Sequence, residues 1–472
     1  MYRWYFMNLF YRQIIQGFLL KNLVLLAVLA SGISCSLNSD EISTDPSHKL
    51  RFSADTIFFD TIFTEIPSVT KRLRVYNDQS TAVSVASIAL ADPNTPYIIT
   101  INGIRGTAFE AIRILANDSI LVLLEADISD RDSLSPYVVE DQLKFSTNGN
   151  QQEVSVLSWG QDANYLKDAI LPCNTIWTAG KPYVIYDHVL VDSLCTLIIE
   201  PGTRIFSHLG SNIYVKGSIK VNGEADNRVL FMNDRFDGDF ALFPGQWGGI
   251  TFLEGSQGNE IRYTDIRNAE VGIWLGTPDD DDFPDLTIEN SIIENTTGPC
   301  IIAFTSDLEM TNCLLNNSGQ FAFAGLAGGN YVITHSTIAN YAFGFFKTEP
   351  TFIVSDQIEL SDGSLLQAPI TLQLNNNIIW GPSSDEIELL NDGGMVFTLD
   401  MTNNLLKTTN SAYSGFNNIL NEDPLFINPE LFDYQLDSLS PAINTGADLG
   451  IALDLLGVGR SMPPDIGAYE KQ

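Results

Sequence analysis

The chain has 472 residues, 58 of them acidic against 25 Lys plus Arg, for a formal charge of −33. Hydrophobic residues at 44 % and aromatics at 10 % exclude a disordered polyanion, which lacks the apolar surface needed to fold. The charge also excludes a nucleic-acid binder, which needs Lys and Arg to displace counterions from phosphate, and direct docking on anionic lipid headgroups.

Residues 1–34 hold Arg3, Arg12 and Lys21 and no acid, and the run from Asn22 to Ala30 is apolar. A basic start, a short apolar core and the small residues Ser31-Gly-Ile-Ser34 before Cys35 read as a secretory signal. The apolar run is too short for a comfortable membrane span, and no other stretch is long and apolar enough to be one. Cleavage before Cys35 removes three positive charges and takes −33 to −36. The segment resembles a bacterial lipoprotein signal, with Gly32 where Leu is usual. That resemblance implies that Cys35 carries the lipid and that residues 35–50, rich in Ser, Asp and Thr, are a flexible tether. It also implies a location at the outer membrane of a Gram-negative bacterium, lipid-anchored and exposed at the cell surface.

Residues 51–163 alternate apolar and polar positions, as in Leu73-Arg74-Val75-Tyr76 and Gln142-Leu143-Lys144-Phe145. Turn signals such as Asn77-Asp78, Asn102-Gly103 and Asn148-Gly149 break the runs every 8–12 residues. Period two with such turns predicts a β-sandwich, with a hairpin at Asn148-Gly149. The stretch, closing on Trp159-Gly-Gln-Asp-Ala163, resembles the immunoglobulin-like modules of bacterial surface lipoproteins, which are usually spacers. A linker and N-terminal cap over 164–194 follow. Cys173 and Cys195 flank the linker and are the better candidates for a disulfide; Cys300 and Cys313 could equally be buried thiols.

From residue 195 to 445 one register recurs. The central positions are Tyr263, Asn290, Asn312, His335, Asn376 and Asn403, spaced 27, 22, 23, 41 and 27 residues apart. Apolar residues stand two before and three after every centre: Ile261 and Ile266, Ile288 and Ile293, Met310 and Leu315, Ile333 and Ile338, Leu374 and Ile379, Met401 and Leu406. A period near 22 with length variation predicts a solenoid. A second Asn column reads Asn268, Asn295, Asn317, Asn340. Coils stacked about 4.8 Å apart let like amides hydrogen-bond along the stack, and Asn tolerates the left-handed backbone of a sharp corner. Two such columns around short Ile/Leu strands predict a parallel β-helix of about ten coils, roughly 45 Å long.

These coils, together with Leu197 to Ile205, Ile213 to Ile219 and Gln246 to Phe252, resemble right-handed parallel β-helix (pectin-lyase-like) proteins. The end matches too: Asp423-Pro-Leu-Phe426, Ser440-Pro-Ala-Ile443 and Asp465-Ile-Gly-Ala-Tyr-Glu470, with Asp454, Gly457 and Arg460, so 446–472 is expected to cap the β-helix. The fold class expected is all-β: an immunoglobulin-like sandwich followed by a right-handed parallel β-helix.

Many relatives of that fold cleave acidic polysaccharides, with a base beside a uronate carboxylate and cations or Ca²⁺ to neutralise it. Between residues 241 and 445 the basic residues are Arg262, Arg267, Lys347 and Lys407. Arg262, Arg267 and His335 are therefore weak catalytic candidates, and His335 reads first as a substitute in the Asn column. Asp279, Asp280, Asp281, Asp282 and Asp285 share one loop and could coordinate Ca²⁺, although the spacing is not that of an EF-hand. Trp274 and Trp380 occupy outward register positions and are candidates for stacking on sugar rings. The residues from Thr351 to Leu365 predict a projecting β-hairpin turning at Asp362-Gly363. The expected function is non-catalytic binding of a glycan or other surface component. The alternatives are a polysaccharide lyase or glycoside hydrolase and a structural rod or adhesin. Composition leaves the oligomeric state open.

Overall fold

The computed structural model describes residues 39–236, 238–276 and 283–471. The signal segment, Cys35 and Asp279 to Asp282 lie outside the described residues. Among the described residues no helix is long and apolar enough to cross a membrane. The chain divides into two compact units, and Asp130–Tyr137 belongs with the second although the strands around it belong to the first.

The first unit holds two mainly antiparallel sheets. The alternation of Lys71–Asn77 puts Leu73 and Val75 inside and Arg72 and Arg74 outside. Asn148 and Gly149 both take positive φ, 50° and 79°, the geometry a two-residue hairpin turn requires. Tyr97, on one sheet, donates its hydroxyl to the Val139 carbonyl at 2.8 Å and stacks on Phe59 of the other. A buried phenol needs such a partner, and the contact ties the two layers together.

The second unit is a parallel β-helix. Its chain visits three parallel sheets in turn. Face A contains Ser218–Asn222, Asn259–Arg262, Leu286–Glu289 and their successors up to Phe397–Thr402. Face B contains Val229–Asn233, Thr264–Arg267, Ile292–Thr296, Leu314–Ser318, Thr337–Ala339, Ile378–Trp380 and Leu405–Leu406. Face C contains Asn212–Val215, Gly249–Phe252, Ile273–Leu275 and later strands to Ile387–Leu390. The core columns follow the sequence register. Val221, Ile261, Ile288, Met310, Ile333, Leu374 and Met401 are consecutive partners on face A. Ile266, Ile293, Leu315, Ile338, Ile379 and Leu406 do the same on face B, and all are fully buried. Each column presents like side chains at one height, so one apolar core runs the length of the unit.

Every central residue turns the chain from face A to face B with a left-handed backbone: φ is 43° at Tyr263, 50° at Asn290, 53° at Asn312, 47° at His335, 58° at Asn376 and 56° at Asn403. Along this column the expected stacking bond forms between His335 and Asn376, at 2.8 Å, but the amides do not form a continuous stack. They face outward and hold the C-terminal segment: Asn312 donates to the Leu453 carbonyl at 2.8 Å and Asn376 to that of Ala447 at 2.8 Å. Internal ladders form elsewhere. Asn377 donates to Asn404 and Asn404 to Asn418 one residue past the centres. In the second column Asn268 donates to Asn233, Asn295 to Asn268 and Asn317 to Asn295, at 2.7, 2.7 and 2.8 Å.

Residues 446–471 therefore do not close the end of the stack. They lie along its flank, where Leu455, Ile466 and Ala468 cover outward residues of face B. Cys173 and Cys195, one coil apart, form a disulfide; Cys300 and Cys313 are free and buried in the core, where burial pushes both thiols up to about 12. The predicted hairpin pairs Gln357–Glu359 with Leu365–Gln367, and Gly363 turns at φ 80°.

Candidate functional site

The three weak catalytic candidates do not converge. Arg262 lies outside face A, paired with Glu289 at 3.3 Å and Glu260 at 3.7 Å. Arg267 lies on face B, past the corner at Tyr263, paired with Glu294 at 3.0 Å and Asp265 at 3.2 Å. Burial raises the Glu294 carboxyl above the usual range against the pull of Arg267. His335 is buried under the C-terminal segment with Nε2 2.8 Å from the Asn376 amide. The other two cations of this stretch are engaged as well. Lys347 pairs with Glu386 in the interior, and the Lys407 ammonium sits 4.7 Å over the Trp380 ring. A sequence shows cations but not their partners.

Burial, with the Arg460 charge adding to it, lowers the His335 imidazole to about 3. Unfolded His335 takes a proton near pH 6.5, whereas the folded ring stays neutral until about 3. Between those values the unfolded chain holds the extra proton, so acid favours unfolding. Asp465, nearby, is raised by its own burial and acts in the opposite sense, so a comparison of variants is needed to isolate the histidine. His335→Asn installs the residue usual in this column. The wild type is expected to lose about 2 kcal/mol more than this variant between pH 7 and pH 5. Urea unfolding of both at the two pH values measures the difference.

Trp380 is not an exposed platform: it is 5 % exposed and lies in the apolar layer with Phe426, Tyr434 and Leu436. Its row and its neighbour's on face B carry Ala339, Leu314, Ile378 and Leu405, so this strand face is apolar inside and out and takes a second covering layer. Asp285 is buried too, and its Oδ2 accepts the Asp307 backbone N–H at 2.9 Å. Among the described residues no three His, Cys, Asp or Glu side chains gather as a metal site.

Trp274 is different. Ile273 and Leu275 face the core of face C, which turns the indole outward, 41 % exposed. Its ring lies 5.3 Å from Phe304. Beside it opens a groove of about 550 Å³. Trp274, Ile302 and Val271 supply its apolar lining, and Glu270, Gln320 and Thr297 its polar side chains.

The walls are fixed by the second Asn column. The Asn268 and Asn295 amides each use one N–H bond to continue the ladder and the other to hold the insertion that precedes Gln246. Asn268 thus donates to the Ala241 carbonyl at 2.8 Å and Asn295 to that of Leu242 at 2.6 Å. The Gly245 N–H donates to the Ala269 carbonyl, and the Gly298 N–H to that of Glu270 at 2.7 Å. At Gly249 φ is 118°, and a Cβ there would collide with the Val271 carbonyl, so glycine permits the close approach of the coil that carries Trp274. The sequence signal for this wall was the long gap between Val229–Asn233 and Gly249–Phe252, which the repeat register does not explain.

Three parallel sheets wound by one chain around a continuous core, with left-handed Asn corners and amide ladders, define a parallel β-helix protein. Residues 184–338 match the family model described as the right-handed β-helix region. No curated protein matches the chain. Among solved structures, the catalytic unit of an α-1,3-glucanase from Streptomyces thermodiastaticus aligns at 13 % identity and TM-score 0.31, over 71 % of this chain and 75 % of that one. The Agl-KA catalytic domain aligns at 11 % and 0.23, over 71 % and 80 %. A protein of unknown function from Porphyromonas gingivalis W83 aligns at 14 % and 0.18, over 26 % of this chain and 59 % of its own.

Proposed function

We propose that this protein is a surface-exposed lipoprotein, anchored through Cys35, whose β-helix binds a glycan in the groove at Trp274 without cleaving it. The observation that carries the reading is the exposed indole in a groove that Glu270, Gln320 and Thr297 also line. An aromatic face can cover the C–H side of a sugar ring while the polar groups bond its hydroxyls. The pairing of Arg262, Arg267 and Lys347 with carboxylates of their own supports binding over lyase chemistry, because an acid already meets the charge of each.

The test is affinity electrophoresis of the purified protein through a panel of polysaccharides. Retardation by at least one is expected, with Trp274→Ala weakening it about tenfold or more. Reducing ends and unsaturated products are recorded on the same samples. Robust product formation would overturn the non-catalytic reading, and the absence of any retardation would overturn glycan binding. For the anchor, incorporation of a palmitate analogue in a Gram-negative host is expected and should vanish in Cys35→Ser.

A further inference from the structure

We infer that the ligand of the groove is a neutral glycan and that Glu270 sets this preference; the inference rests on the glycan reading above. Glu270 is the one charged side chain among the described residues that line the groove. No Lys or Arg occurs anywhere in the sequence between Arg267 and Lys347, the stretch that supplies most of the lining. The same stretch carries Asp279 to Asp282 shortly after Trp274. The nearest cation in sequence, Arg267, is spent on Glu294 and Asp265.

Recognition of a uronate or sulfated sugar needs charge-assisted donors, above all the fork of an Arg. The groove offers the reverse. An anionic sugar stacked on Trp274 would bring its carboxylate beside the exposed Glu270 carboxylate, and like charges there repel, most strongly at low salt. A neutral pyranose has hydroxyls that donate to the Glu270 carboxylate and both donate to and accept from the Gln320 amide. The Glu270 backbone is pinned on both sides: its N–H donates to the Trp247 carbonyl at 2.6 Å and its carbonyl accepts from Gly298 at 2.7 Å. The carboxylate therefore projects from a fixed base, the condition for discriminating ligands by charge.

The purified protein is titrated with neutral hexasaccharides (cello-, laminari-, malto-, xylo- and mannohexaose) and with hexagalacturonate, at low and at high salt, following Trp fluorescence. The expected result is binding of at least one neutral probe, weakened about tenfold or more in Trp274→Ala, and hexagalacturonate weaker by about 100-fold at low salt. Glu270→Gln should weaken the neutral probe and strengthen hexagalacturonate, and high salt should narrow the gap in the wild type. Hexagalacturonate binding as tightly as the neutral probes, and doing so through Trp274, would overturn this inference while leaving glycan binding intact. The absence of Trp274-dependent binding to every probe would overturn both.

Discussion

Arg460→Met is expected to lower the stability of the β-helix unit by about 3–5 kcal/mol and to release its C-terminal segment first. The guanidinium is fully buried. One terminal nitrogen donates to Asn312 of the corner column at 2.7 Å and to the Gly467 carbonyl at 3.0 Å; the other reaches the Asp465 carbonyl at 3.3 Å and the Glu470 carboxylate at 3.5 Å. Around it the acids are spent on backbone N–H groups. Glu470 accepts from Ser461 and Asp465, Asp454 from Leu456, Val458 and Glu470, and Asp465 from Asn444 and Lys471. Deleting the cation leaves Glu470 buried and uncompensated and removes the clamp on Asn312. Arg460→Lys keeps the charge but loses the fork, so it should recover only part of the loss. Chemical denaturation gives the magnitude. Limited proteolysis gives the location: cleavage should appear within 446–471 before any cut in the coils. Unchanged stability with an unchanged proteolytic pattern would sink the assignment of Arg460 as the clamp.

The clamp explains which parts of the fold the sequence could and could not reveal. Core columns such as Ile261 to Met401 repeat every coil because each level must bury the same kind of side chain beside the last. A periodic requirement leaves a periodic trace. The flank segment meets each coil once, through contacts as distant as Asn290 to the Asp454 carbonyl, 164 residues on, and leaves no period at all. The Asn column was therefore visible, but what its amides held was not. The two tryptophans show the same limit. Alternation places both Trp274 and Trp380 on outward positions, and period two says nothing of whether a later segment covers them. Trp380 is covered because its neighbours Ile378 and Leu405 are apolar outside as well as inside. Trp274 has Glu270, Gln320 and Thr297 nearby and stays open.

Glu386→Ala should cost about 3–5 kcal/mol, and Lys347→Met/Glu386→Leu together much less than that. The pair is enclosed, with the Lys347 side chain 3 % and the Glu386 side chain 0 % exposed. Glu386 also accepts from the Thr351 N–H at 2.9 Å, the Thr351 hydroxyl at 2.7 Å and the Ser383 N–H at 2.6 Å. Burial pulls the Lys347 ammonium below its ordinary range, and its carboxylate partner opposes that pull. Losing Glu386 alone strands a cation and two backbone donors without water; replacing both charges by apolar groups removes the stranded cation. Urea denaturation of the single and double variants closes the cycle, and a double variant as unstable as Glu386→Ala would show that the backbone donors, not the ion pair, dominate. Arg262 and Arg267 are both paired with carboxylates, and farther along the stack Lys347 is buried against Glu386. The β-helix thus commits Arg262, Arg267 and Lys347 to carboxylates of its own, and the cost of stranding one of them is what the Lys347–Glu386 cycle measures.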